Sequence, residues 1–212
     1  MFDLSREIQR KAFHLIGSLI PFFYFFLNKE TAAMGLAFIN AILLVIEWLR
    51  LNGKISLPEM LLRPHENKQI AGYIYFQMSA LISIIIFEKT IAIAAILMLA
   101  IGDTAAGLAG AAIKGGNVRQ SGNKADIKPF PIMVTIFLVC VIIGAILSNF
   151  PMARDMIQIP FWVYVAGALG ATIGDTVPVR VKGVAIDDNF MIPLLSGAFM
   201  TAGMVAIKTI FH

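Results

Sequence analysis

Seven stretches of the chain are almost wholly apolar, and short polar segments separate them. They run from Ala12 to Leu27, Thr31 to Leu51, Ile70 to Phe87, Thr90 to Ile113, Phe130 to Leu147, Ile159 to Val179 and Phe190 to Phe211. A helix needs about 20 predominantly apolar residues to cross the hydrocarbon of a bilayer, fewer or more with tilt. The pattern therefore predicts an all-α integral membrane protein of about seven transmembrane helices, forming one domain over residues 1–212. Only Glu88, Lys89 and a neighbour or two separate the third and fourth runs, which predicts a tight hairpin. The first run, behind its basic residues, could be a signal peptide. His14 interrupts it and no small-residue cleavage site follows Leu27, so it reads as a retained span.

Composition agrees. Apolar residues make up 58% of the 212 and charged residues 14%, far from the balance of a soluble domain. The net charge of +4 is scattered between apolar runs rather than gathered into a patch, which argues against nucleic acid as a partner. The single cysteine, Cys140, has no partner for an intrachain disulfide and reads as packing.

Charge placement predicts orientation. Of the 17 lysines and arginines, only Lys29, Lys89, Arg154 and Lys208 fall on one set of span ends. The others share the opposite set, so the positive-inside rule places the N-terminus in the cytoplasm and the C-terminus outside. The expected location is the cell membrane, as a multi-pass protein.

The tetrapeptide Ile-Gly-Asp-Thr occurs twice inside apolar runs, at Ile101–Thr104 and Ile173–Thr176. A carboxylate at bilayer depth costs roughly 2.5–3.5 kcal/mol on insertion scales, so such residues mark function by default. Asp103 falls about 20 Å along the fourth run, and Asp175 lies near the end of the sixth. Both fall toward the cytoplasmic side, as do His14 and Glu47. Glycines and alanines recur from Gly102 through Gly107 to Gly110. They suit close helix packing, but packing does not account for Asp103. A carboxylate beside bare backbone would let a phosphate chain and a divalent cation approach, and Mg²⁺ favours one or two carboxylates plus substrate phosphates.

Lys114, Arg119, Lys124 and Lys128 follow in a loop that reads either as a positive-inside segment facing anionic headgroups or as a clamp for a triphosphate. Asp187-Asp188-Asn189 precedes the last run, where acidic residues would cap a helix or hold a metal. Glu7, Lys11 and His14 share a helical face, as an interfacial lead-in or as part of a site. Glu47 and Arg50 are spaced to pair. Lys208 reads as a snorkelling residue at the outer end.

In order along the chain, these motifs resemble the CTP-dependent polyprenol and lipid kinases, the family of dolichol kinase, phytol kinase and the CTP-using diacylglycerol kinase, whose motifs are related to those of phosphatidate cytidylyltransferases. Glu7 to His14 is similar to the family's Glu-x-x-Arg-Lys-x-x-His. Arg63-Pro64-His65-Glu66, with Gly72 and Phe76, is similar to its Arg-x-x-Glu and Gly-x-x-x-Phe stretch. Ile101 to Gly110 resembles its Gly-Asp-x-x-Ala-x-x-x-Gly, and Asp187 to Pro193 its Asp-Asp-Asn-x-x-x-Pro. Two departures stand out. Lys128-Pro129-Phe130-Pro131-Ile132 keeps only the lysine of the family's Lys-Ser/Thr-x-Glu/Ala-Gly, and Asp175 stands where the family often has Glu.

The resemblance implies a kinase moving the γ-phosphate of CTP to an isoprenoid alcohol or a diacylglycerol hydroxyl. Asp103, Asp187, Asp188 and Asn189 would hold Mg²⁺. Lys11, Arg63, Glu66, Gly107, Gly110, Lys124 and Lys128 would serve the nucleotide, and Asp175 or His14 would accept the hydroxyl proton. The expected partners are the membrane lipid and the nucleotide, with a homodimer left open. Two rival readings are a cytidylyltransferase forming a CDP-lipid and a small cation- or proton-coupled transporter using Asp103 and Asp175. A seven-helix sensor would need a ligand pocket facing outside, where polar residues are few.

Overall fold

The computed structural model describes residues 11–12, 14–58, 61–62, 66, 69–114, 127–153, 155–181 and 184–210. The elements are α1 (Leu19–Phe26), α2 (Lys29–Leu51), α3 (Gly72–Ile86), α4 (Lys89–Leu97), a π-helical turn (Met98–Asp103), α5 (Thr104–Lys114), α6 (Phe130–Ser148), α7 (Phe161–Thr176) and α8 (Asp188–Ile210). The architecture is all-α apart from a two-residue antiparallel ladder between β1 (Arg180–Val181) and β2 (Val184–Ala185).

Among the described residues, four helices are long and apolar enough to cross a membrane: Lys29–Leu51, Lys89–Ile113, Phe130–Ser148 and Asp188–Thr209. His14–Phe26 and Gly72–Ile86 are apolar but shorter. The first predicted span is divided by a turn at Gly17 and Ser18, whose amides bond back three residues to His14 and Leu15. Gly17 is required there, because a Cβ would run into the Phe76 ring. The sixth predicted span stops at Thr176 rather than Val179, and the chain then turns through the β1–β2 ladder.

Local signals set several boundaries. Asn28 caps α2 by accepting from the Thr31 amide at 2.8 Å, and Glu88 caps α4 through the Thr90 amide at 2.8 Å. Pro160 precedes α7, and Pro131 sits in the first turn of α6, where its missing N–H removes no helical bond.

The continuous span from α4 through α5 is the centre of the molecule. The most apolar window of Lys89–Ile113 is 72% buried, against 17% for α2 and 28% for both α6 and α8. Small residues account for this: Ala92, Ala94, Ala95 and Ala100 are fully buried. Neighbouring helices can close on a backbone carrying so few large side chains.

The tightest helix pair is α7 against α8. A Cβ on Gly170 would meet the carbonyl carbon of Leu195 at 2.8 Å, and one on Gly174 the Ile192 amide nitrogen at 2.9 Å. The glycine stripe therefore sets the backbones of α7 and α8 against each other. Asp175 follows Gly174, and Asp188 lies one turn before Ile192, so the same contact brings the two aspartates together.

Candidate functional site

Asp103, Asp175 and Asp188 come from three different helical segments and meet at one end of the bundle. Among the described residues, a carboxylate oxygen from each lies within 4.8 Å of the other two. All three side chains are buried. Carboxylates held this close in an apolar interior repel one another unless cations intervene.

Cations do intervene. Lys11 Nζ donates to Asp103 Oδ2 at 2.6 Å and to the Asp103 carbonyl at 2.9 Å. His14 Nε2 lies 3.2 Å from the same Oδ2, an ion pair when the ring is protonated. Lys128 Nζ bonds to Asp175 Oδ1 and lies 3.5 Å from Asp188 Oδ2. Among the described residues, three carboxylates thus face two ammonium groups and one imidazole.

Each position has a local cause. Asp103 ends the π-helical turn, a rare backbone form that is frequent at functional sites. Gly102 lets that turn pack closely on α6, since a Cβ would approach Cys140 Sγ to 2.8 Å. Cys140 in turn donates weakly to the Met98 carbonyl at 3.9 Å, so its packing role is to seat the turn. Gly107 is one turn beyond Asp103, and a Cβ there would stand 2.7 Å from Lys11 Nζ. The glycine leaves the lysine stem its present path to the carboxylate; a Cβ would force that stem to shift.

The threonines of the two Ile-Gly-Asp-Thr copies behave alike. Thr104 Oγ1 donates to the Ala100 carbonyl at 2.7 Å and Thr176 Oγ1 to the Thr172 carbonyl at 2.6 Å. Both copies turn their threonine back on the helix and leave the aspartate for the cluster.

At the start of α8, the Asn189 amide is shared by Asp187 Oδ1 at 3.0 Å and Asp188 Oδ1 at 3.2 Å, a capping arrangement. Pro193 has no N–H to offer the Asn189 carbonyl four residues back. Ser79 Oγ supplies the missing donor at 2.8 Å. Asn189 Nδ2 donates to the Gly72 carbonyl at 3.2 Å, which ties α8 to α3. Two oxygens are left over: Asp175 Oδ2 and Asn189 Oδ1 are buried and accept no hydrogen bond among the described residues.

A second buried cluster lies beside the first. Arg50 donates to Glu47 Oε2 at 2.7 Å and Oε1 at 2.6 Å, and to the carbonyls of Glu66 at 3.1 Å and Gln69 at 2.6 Å. Glu47 also accepts from the Ala71 amide at 2.8 Å and the Tyr73 hydroxyl at 2.7 Å. Glu66 Oε1 accepts from the Gly72 amide at 3.1 Å. This network fastens the chain entering α3.

The sequence-predicted residues divide accordingly. Lys11, His14, Asp103, Asp175, Lys128 and Asp188 come together. Asp187 and Asn189 sit at the same helix start, as a cap and as the link to Gly72. Gly107 borders Lys11, whereas Glu66 belongs to the neighbouring network. Gly110 is a buried position of α5. Arg63 and Lys124 lie outside the described residues. Asp175 is a full member of the carboxylate cluster, more than the auxiliary its plain surroundings suggest, and the repeated tetrapeptide was its signal. The π-helical turn has no signal in the sequence pattern.

The three carboxylates and the orphaned Asp175 oxygen fit a hard divalent cation, which takes oxygen ligands and carboxylates above all. No protein-family model matches the chain and no solved structure matches it. The chain is similar to an uncharacterized protein of Rickettsia prowazekii, 27% identical over 201 residues that span 91% of this chain and 92% of that protein.

Proposed function

We propose that the protein is an integral membrane lipid kinase that moves the γ-phosphate of CTP to the hydroxyl of an isoprenoid alcohol or a diacylglycerol. One observation carries the reading. Described residues from each of the four stretches that resemble the CTP-dependent lipid kinases lie at or next to the Asp103 cluster, although they are scattered along the sequence. Lys11 and His14 touch Asp103, Phe76 packs edge-on against the His14 ring at 4.8 Å between centroids, Gly72 binds Asn189, and Asp188 closes the cluster.

The seven helical segments would each cross or enter the bilayer, with the N-terminus in the cytoplasm and the cluster at the cytoplasmic face of the cell membrane. The basic residues crowd that side, where a nucleotide arrives from water. The alcohol arrives from the hydrocarbon.

Asp103, Asp175 and Asp188 would hold Mg²⁺, with Asp187 and Asn189 fixing the start of α8. The bound ion would neutralise charge on the phosphate chain, which supplies much of the catalysis in phosphoryl transfer. Lys11 and Lys128 stand beside the carboxylates and would bind the phosphates. In the transfer, the acceptor oxygen forms a bond to the γ-phosphorus and the bond from that phosphorus to the β,γ-bridging oxygen breaks, leaving CDP. The hydroxyl proton passes to Asp175 or His14, the two groups of the cluster suited to accept it.

The test is transfer of label from γ-³²P-CTP to polyprenol or diacylglycerol by the protein in detergent. The reading expects labelled phospholipid and CDP, and loss of both in Asp103→Asn. Labelled pyrophosphate with a CDP-lipid would instead indicate a cytidylyltransferase. Undiminished transfer by Asp103→Asn would remove Asp103 from the site.

A further inference from the structure

The two lysines of the cluster are held differently. Lys11 makes two short bonds to one residue, the carboxylate and the carbonyl of Asp103, and lies along the bare face of Gly107. Its side chain is 4% exposed. Lys128 is shared between Asp175 and Asp188, its contact to Asp188 is stretched to 3.5 Å, and its side chain is 11% exposed. Its backbone is fixed: the Lys128 amide donates to the Thr176 carbonyl at 3.3 Å, and Pro129 follows as the N-cap of α6. A flexible four-carbon stem on a fixed base can move its charge without moving the chain.

The position of the ammonium matters. A group bridging Asp175 and Asp188 holds the place a divalent cation would need for those same oxygens. Among the described residues, Asp175 Oδ2 accepts no hydrogen bond while Lys128 sits on Oδ1. Asp175 is thus charge-compensated at one oxygen and open at the other.

We propose that Lys128 is an exchangeable counterion. It neutralises Asp175 and Asp188 when the site is empty of metal. It gives them up to a divalent cation and swings onto the phosphate chain that enters with it. This deepens the kinase reading and rests on it for the metal and the phosphates. The exchange keeps the buried carboxylates compensated at every stage, which matters because an uncompensated buried charge is strongly destabilising. It also couples the two ligands: Lys128 opposes the metal alone and favours the metal together with polyphosphate.

The exchange makes predictions of opposite sign for one substitution. With the full chain in detergent, Mn²⁺ binding is measured by the loss of the free-ion paramagnetic resonance signal, and inorganic tripolyphosphate binding is measured in the presence of Mn²⁺. Lys128→Met should bind Mn²⁺ alone about tenfold more tightly or better, and tripolyphosphate more weakly, than the wild type. Mn²⁺ binding that is unchanged or weaker, or tripolyphosphate binding that is undiminished, overturns the exchange.

A second measurement needs no variant, should Lys128→Met fail to fold. Amine labelling of the wild-type protein followed by mass spectrometry should show Lys128 more reactive with Mn²⁺ alone and protected again when tripolyphosphate is added. Constant reactivity overturns the proposal. Asp175→Asn separates the two failures. If it binds Mn²⁺ as the wild type does, the metal assignment itself falls. If it loses Mn²⁺ while Lys128→Met gains nothing, only the exchange falls.

Discussion

Two buried polar clusters lie side by side at one end of this bundle, and they are built on different rules. Around Glu47 and Arg50, one carboxylate meets one guanidinium, and both oxygens of that carboxylate and all three guanidinium nitrogens have partners. Around Asp103, Asp175 and Asp188, like charges are gathered within 4.8 Å, and among the described residues a fully buried carboxylate oxygen is left without a donor. The first arrangement closes on itself and asks for nothing further. The second is held together by lysines from distant parts of the chain and still has capacity to bind. A satisfied network is a fastening, whereas a crowded one with an open oxygen is the mark of a site.

Substitutions should separate the two. The largest effect belongs to Asp103→Asn, which keeps the shape but removes the charge that Lys11 and His14 face. Phosphoryl transfer should fall about a thousandfold, equivalent to roughly 4 kcal/mol of lost transition-state stabilisation, and the thermal midpoint should fall as well, because Lys11 is left buried beside a neutral amide. Glu47→Ala should act on stability and spare metal binding. It leaves Arg50 buried without its carboxylate, and breaking a buried pair costs about 3–5 kcal/mol. Thermal unfolding followed by circular dichroism should show a large drop, and whatever protein remains folded should still bind Mn²⁺.

Gly107→Ala tests the fit of Lys11. The added methyl meets the end of the lysine stem, which must take another path to keep its bond to Asp103. Overpacking of this kind costs about 1–3 kcal/mol, and transfer activity should fall together with the melting temperature. A neutral outcome in both would show that Lys11 is not wedged as described.

The smallest effect lies at the opposite end of the molecule. Lys89 donates to Asp155 at 2.7 Å and to the Leu27 carbonyl at 2.8 Å. The hydrogen bond from Lys89 holds the Asp155 carboxyl below the usual carboxylate range. A lowered value in the folded state means that the pair stabilises above about pH 4, the ordinary carboxylate value, and that its contribution fades as pH falls through the lowered one. Half of the Asp155 side chain is exposed, so water screens the pair and its worth stays under about 1 kcal/mol. Asp155→Asn should lower the thermal midpoint slightly at pH 7 and match the wild type once the pH has fallen through the lowered carboxyl value.

Much of the fold was legible because apolar runs report helices directly. The hairpin at Glu88 and Lys89 and the 23 residues of α2 follow the pattern closely. Boundaries were harder where tertiary contacts decide them. The glycine at the Gly17 turn answers to Phe76, whose ring fills the space a Cβ would need and which is far away in sequence. The π-helical turn that ends at Asp103 packs on α6 through Gly102 and Cys140, and no local propensity signals it.

The site was legible in its residue types and less so in its grouping. Asp103, Asp188, Lys11 and His14 stand in motifs, so the sequence brings them forward. Asp175 is joined to them by Gly170 and Gly174, which seat α7 on α8, and that consequence needs three dimensions. Likewise, the spacing of Glu47 and Arg50 shows that they can pair, but not that the pair fastens the chain at Glu66, Gln69 and Ala71.

The central claim is that Asp103, Asp175 and Asp188 form one metal and phosphate site. The most direct measurement is a crystal structure with Mn²⁺ and a non-hydrolysable CTP analogue, using the anomalous signal of the metal. The account predicts an anomalous peak about 2.0–2.3 Å from carboxylate oxygens of these aspartates, with the γ-phosphate against Lys11 or Lys128. A nucleotide bound with no peak among the three carboxylates, or a peak seated at Glu47 and Glu66 instead, would contradict it.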